Sequence, residues 1–134
     1  MSNMFFEINT SNGVPVYEQV ARQVAFAVAA GGLQTGQMIP SVRELARELA
    51  INPNTVARAY RQLQDEGVLD SIRGSGLAVA AGATSKCQAM RTRVIRSRIS
   101  NVLTEARQSQ LTDDEIMQVI QAELNRKKSK RSEK

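Results

Sequence analysis

The sequence contains no histidine, and its one cysteine is Cys87. Those two scarcities remove whole classes of chemistry. No disulfide can form within the chain, thiolate and imidazole metal clusters have no ligands, and Ser–His or Cys–His catalysis has no base. Aromatic residues are only 4% of the chain. Phe5, Phe6, Tyr17, Phe26 and Tyr60 are also scattered, which argues against a single-strand binder built on base stacking. No apolar run approaches the roughly 18 residues of a membrane span. The first residues lack the basic start and apolar stretch of a signal peptide. The Gly-rich stretch at 74–82 lacks the G-x-G-x-x-G spacing and a following β-α-β unit, so a dinucleotide site is not expected there. The expectation is a soluble, cytoplasmic protein that is not an enzyme and has no metal, cofactor or membrane partner.

What is present is charge, unevenly placed. Residues 1–80 hold six of the 18 Lys and Arg and seven of the 13 Asp and Glu, a net of −1; residues 81–134 hold the rest, a net of +6. A pI near 9.9 points to a polyanionic partner. Because the excess sits in the second half, charge alone does not mark the first half as a DNA reader. The length, 134 residues, is enough for one core with an extension.

Hydrophobic spacing organises the first part. Residues 4–9 read as a short strand or extended arm, followed by a turn-rich break. Val16, Val20, Val24 and Val28 recur every four residues and predict a helix over 16–30, ended by Gly31 or Gly32. A second helix opens at Ser41, whose S-x-x-E spacing to Glu44 is that of a capping box, with Leu45, Ala46 and Leu49 facing inward. After a very short break, Asn52 is a strong N-cap and Pro53 suits the first helical position. Val56, Ala59, Tyr60 and Leu63 then form one buried stripe up to Gly67. Two short helices joined so tightly predict a helix-turn-helix. Val68-Leu69 and Leu77–Val79 read as two strands with Arg73, Gly74, Ser75 and Gly76 at the hairpin tip, a wing directly after that motif.

The second part, from about residue 81, reads as two helices. Met90, Val94, Ile95, Ile99, Val102, Leu103 and Ala106 line a helix over 86–108. Thr112 and Glu115 form another capping box, with Asp113 and Asp114 favourable at the positive helix end. Ile116, Met117, Ile120 and Leu124 line the last helix, and the basic tail from Asn125 is expected to be frayed and solvated. Such a hairpin cannot bury both stripes alone, so dimerisation through Val94, Ile95, Ile99, Val102, Leu103, Ile116, Met117, Ile120 and Leu124 is expected. The domains are thus 1–80, a winged helix-turn-helix, and 81–134, a helical hairpin with a basic tail, in a mainly α fold. Arg91, Arg93, Arg96 and Arg98 read by default as the wet side of a dimer helix, and the tail could add nonspecific DNA affinity.

The stretch 15–79 carries a series of motifs in order: P-x-Y-x-Q, G-x-L-x-x-G, P-S-x-R-x-L-A, N-P-N-T-V-x-x-A-Y-x-x-L, G-x-L and R-G-x-G. It resembles the DNA-binding domain of the GntR family of bacterial transcription regulators, over about half the chain. The short helical C-terminus and the N-P-N-T variant resemble the YtrA-like subfamily in particular. The resemblance implies a homodimeric regulator, by expectation a repressor, reading double-stranded DNA at an inverted repeat. Its target would be a transport operon, since YtrA-like regulators are often encoded beside membrane transporters. An effector, if one exists, would sit at the dimer interface or between head and helices, because two helices leave little room for a pocket of ~300 Å³.

The implied DNA-binding residues are Ser41, Arg43, Asn52, Pro53, Asn54, Thr55, Arg58, Arg61, Arg73, Gly74, Ser75 and Gly76. A recognition helix enters the major groove by its N-terminal end, where Asn can pair with adenine and Thr can use its hydroxyl or methyl. Asn52 has an equal claim as a cap alone. Arg43 matches the family's contact position on the second helix, while Ser41 is a cap first and a phosphate contact second. Arg58 and Arg61 lie further along and point to phosphates. The wing glycines suit close backbone approach, and Arg73 suits a narrow minor groove. Many members carry Arg after the T-V pair; this chain has Ala57, so no base contact is carried over there and the reading code differs. The alternative is an interaction adaptor in which the hairpin recruits another protein and DNA is secondary.

Overall fold

The computed structural model describes residues 8, 9, 11 and 13–132, with 127 and 129–132 described by backbone alone. Of the arm expected over 4–9, only Ile8 and Asn9 fall among these, and neither is in a strand; the rest lies outside the described residues. The chain divides into two compact units, one up to Arg93 and one from Val94.

The first unit begins with α1, Val16–Ala29. Val20, Val24 and Val28 are fully buried, as the four-residue spacing requires, and Val16 is half-buried at the front. The helix ends at Gly31, whose φ of +86° lets the Gly32 N–H reach the Ala27 carbonyl at 2.9 Å. Gln19 is the buried polar side chain of α1. It accepts from the Asn9 N–H at 2.8 Å and donates to the Asn9 and Val14 carbonyls at 2.6 and 2.9 Å, fastening the segment that leads into the helix.

Helix α2, Val42–Leu49, is capped at Ser41 on both sides: the Glu44 N–H donates to Ser41 Oγ at 3.1 Å, and the Ser41 N–H to Glu44 Oε1 at 2.9 Å. The Ser41 N–H first and its hydroxyl second hold the Glu44 carboxyl below its ordinary value. A depressed carboxylate stabilises above its unfolded pKa, so this cap is intact at neutral pH and lost on acidification. Leu45 and Ala46 are buried and Leu49 is half-buried. Helix α3, Pro53–Asp65, packs against α1 and α2 through Val56, Ala59, Tyr60 and Leu63.

The turn between α2 and α3 is closed by Ala50 in the left-handed region, φ 55° and ψ 45°, with the Ile51 N–H on the Ala46 carbonyl at 3.0 Å. A Cβ is strained there by about 1–2 kcal/mol. Ala50→Gly relieves that strain against a smaller gain in unfolded-chain entropy. It is expected to stabilise the protein by about 0.5–1 kcal/mol, read as a higher thermal midpoint.

Strands β1, Leu69–Ile72, and β2, Gly76–Val79, pair antiparallel from Leu69↔Val79 to Ile72↔Gly76. The hairpin reaches further toward its tip than the two short strands read from the sequence. A third segment joins it. Met38 bridges Ala78, the Ile39 N–H donates to the Leu77 carbonyl at 3.0 Å, and the Val79 N–H to the Gln37 carbonyl at 3.0 Å. The loop between α1 and α2 is therefore an edge of the wing.

Helix α4, Ala83–Gln108, starts earlier than the expected Lys86. Ala83 and Cys87 are fully buried in the first unit's core, which is why that unit runs past the break at 80 to Arg93. Burial pushes the Cys87 thiol above its ordinary value; Glu66 adds to this and Lys86 opposes it.

In the second unit, α4 turns through Gln110 at φ 71° into α5, Asp113–Ser132. The capping box forms: the Glu115 N–H donates to Thr112 Oγ1 at 3.2 Å and the Thr112 N–H to Glu115 Oε1 at 2.9 Å. Arg107 pairs with Asp113 at 3.7 Å. The tail expected to fray continues as helix through Ser132, since nothing between 125 and 132 is a glycine or proline that would break it. No helix among the described residues is long and apolar enough to cross a membrane.

Candidate nucleic-acid interface

Helix α3 has two opposed faces. Val56, Ala59, Tyr60 and Leu63 are buried, and Asn54, Arg58 and Arg61, at helical spacing on the other side, are exposed. The start of the helix is set by Asn52, whose Oδ1 accepts from the Asn54 N–H at 2.8 Å, and by Pro53 at the first position. The cap uses Asn52's amide oxygen. A bidentate pairing with adenine would need the second lone pair of that oxygen, so the cap and a base would share it, while the NH₂ is not used in the cap. Asn54 is exposed and its side chain is not used in the cap. Thr55 is half-buried.

Tyr60 fixes α3 to the approach of α2. Its hydroxyl donates to the Pro40 carbonyl at 2.8 Å, one residue before the Ser41 cap. Burial first, then the Glu44 and Glu48 carboxylates, raise the phenol well above its ordinary value, so the donor persists into more alkaline solution than for a free tyrosine. This bond connects the recognition-type helix to the turn carrying Ser41 and Arg43, both exposed.

At the wing tip Arg73, Gly74, Ser75 and Gly76 are all exposed, with the Ser75 N–H on the Ile72 carbonyl at 2.9 Å. Gly76 has φ 112°, which side chains rarely adopt, so the turn itself requires glycine there. Met38 and Ile72, each 43% exposed, are apolar residues of the wing that the sequence reading did not single out. It also missed the contact of Arg58, whose guanidinium carbon lies 3.8 Å from the centre of the Tyr17 ring. The two residues are far apart in sequence, and no spacing rule links them.

The second unit carries an apolar face. Ile95, Ile99 and Val102 on α4 and Met117, Ile120 and Leu124 on α5 are exposed, Val102 and Met117 by about 60%. Val94 and Leu103 are half-buried, whereas Ile116 is 7% exposed and seated inside the hairpin. Ile99, Val102, Leu103, Ala106, Leu111, Ile116, Val119 and Ile120, with Arg98, line a groove of about 330 Å³ between α4 and α5, so the two helices leave more room than the sequence suggests. Val119 and Leu111 belong to this face although the sequence stripes omitted them.

Residues 16–79 match the family model described as bacterial regulatory proteins, gntR family. The chain is 31% identical over 100 residues to the HTH-type transcriptional repressor YtrA of Bacillus subtilis (strain 168), covering 75% of this chain and 77% of that protein. A crystal structure of a transcriptional regulator from Oenococcus oeni, 29% identical, superposes with a TM-score of 0.70 over 90% of this chain and 99% of that one. YtrA from Sulfolobus acidocaldarius, a GntR-family transcription factor, is 31% identical with a TM-score of 0.56 over 70% of this chain and 97% of that one.

Proposed function

The chain belongs to the gntR family of bacterial regulatory proteins and is a DNA-binding transcriptional regulator, and from that premise we propose that it acts as a homodimeric repressor on an inverted-repeat operator. The observation that carries the reading is the outward stripe of α3, Asn54, Arg58 and Arg61, rooted in a buried face and started by a side-chain cap. On this reading Asn54 and Thr55 would meet base edges, and Arg43, Ser41, Arg61 and the Arg73–Gly76 tip would meet phosphates and the minor groove. The apolar face of the second unit supports pairing with a second copy, because a patch of this kind is seldom left in water. Two heads so joined would read two half-sites, and occupancy of the operator would block transcription. The B. subtilis relative's name as a repressor supports the direction of control.

Footprinting on the DNA upstream of the protein's own gene, with random DNA as competitor, tests this. The expected result is a protected inverted repeat overlapping a promoter, bound at least ~10³-fold more tightly than random DNA. Protection of a single, unrepeated site, or none, would count against the operator reading. On the protected sequence, Arg43→Ala is expected to weaken binding at least about fivefold. The variant should fold normally, since Arg43 is exposed and takes no part in the Ser41–Glu44 cap. Full affinity in Arg43→Ala would remove that residue from the interface.

A further inference from the structure

Tyr17 lies in the first turn of α1 and is half-buried against the head core. Its ring has a second neighbour in the Arg58 guanidinium, 3.8 Å from the ring centre. Arg58 is the middle member of the exposed Asn54–Arg58–Arg61 stripe, and among the described residues it makes no ion pair. A cation at this distance is attracted by the negative face of the ring, and arginine is the residue best suited to such stacking. An aromatic ring offers no strong acceptor, so the N–H donors of the guanidinium stay available for an oxyanion. The ring also restricts a long side chain that would otherwise lose its freedom only on binding.

We infer that Tyr17 is a positioning residue for DNA: its ring holds Arg58 in place on the outward side of α3 to take a backbone phosphate. This rests on the reading of α3 as the DNA-facing helix. Tyr17 need not touch DNA itself; it acts through Arg58. The tyrosine of the P-x-Y-x-Q motif then has a role beyond packing, and the ring rather than the hydroxyl supplies it.

The test uses the full chain, a fluorescent mixed-sequence duplex as probe, and affinities measured over a salt series. Tyr17→Phe keeps the ring and is expected to bind as the parent does. Tyr17→Leu keeps apolar bulk without the ring and is expected to bind roughly two- to fivefold more weakly. Arg58→Gln is expected to weaken binding and to flatten the slope of log K against log salt by about 0.9, the loss of one phosphate contact. Adding Tyr17→Leu to Arg58→Gln should then cost nothing more, the signature of two residues acting as one unit. If Tyr17→Leu does not fold by thermal melt, Tyr17→Met carries the same comparison. Equal losses in Tyr17→Phe and Tyr17→Leu, an undiminished loss in the Arg58→Gln background, or tighter binding by Tyr17→Leu would each overturn the inference. Failure of the parent protein to bind the duplex at all would instead overturn the DNA reading of α3, and the inference with it.

Discussion

Ile99→Glu is expected to leave a monomer in solution and to weaken binding to a two-half-site operator by about 10²-fold or more. Ile99 is half-exposed on α4, between Ile95 and Val102 on one helical face, and borders the groove toward α5. If a second copy covers that face, a glutamate there would be buried as an unpaired charge, and pairing would be lost rather than weakened. The penalty on DNA follows from linkage. Two heads on one scaffold make the second half-site an intramolecular event, and separated heads bind each half-site on its own. The head is untouched, because Ile99 lies outside its core, so affinity for an isolated half-site should be unchanged. Sedimentation at micromolar concentration reads the first effect, and titration of full and half operators reads the second. A variant that still sediments as a dimer would place the interface elsewhere.

The second large effect is on stability. Leu63 is fully buried on α3 and belongs to the stripe that packs on α1 and α2. Leu63→Ala removes buried methyl groups and leaves a cavity, a loss of about 3 kcal/mol. For a unit of this size that lowers the thermal midpoint by about 12 °C or more. Arg61→Ala, two residues away on the exposed face, is the control: it should stay within about 0.5 kcal/mol of the parent. Thermal melts of the two variants therefore separate the face that holds the helix from the face it presents. A shift of only a degree or two in Leu63→Ala would mean that α3 is not packed as described.

What the sequence discloses here is mainly local. The Ser41–Glu44 and Thr112–Glu115 boxes and the Asn52–Pro53 helix start depend on side chains a few residues from the backbone groups they satisfy, so spacing alone reveals them. The valines of α1 and the stripe of α3 are equally legible, because one buried face imposes one period. The failures are contacts over distance or backbone states without a residue signature. Nothing in residues 36–39 alternates in the manner of a strand; their pairing comes from the position of β2. Ala50 adopts a conformation usually marked by glycine, so the turn was located by its shortness and its geometry stayed hidden. The burial of Ala83 and Cys87 extends the head into α4, where composition had placed a break after residue 80. Within the candidate interface, residue types identified the face of α3 and the Asn52 cap, whereas the Tyr17–Arg58 contact required coordinates.

The pairing of residues 36–39 with β2 has a mechanical meaning. Ile39 and Gln37 are bonded to Leu77 and Val79, and the same short segment runs directly through Pro40 into Ser41. Pro40 is in turn gripped by Tyr60 from α3. A force that lifts the wing is therefore passed, through a few stiff links, to the root of α2 and to the middle of α3. On the proposed reading, the three parts that would meet a duplex are thus tied to one another, and a duplex that fits the wing badly would also be held badly at Arg43.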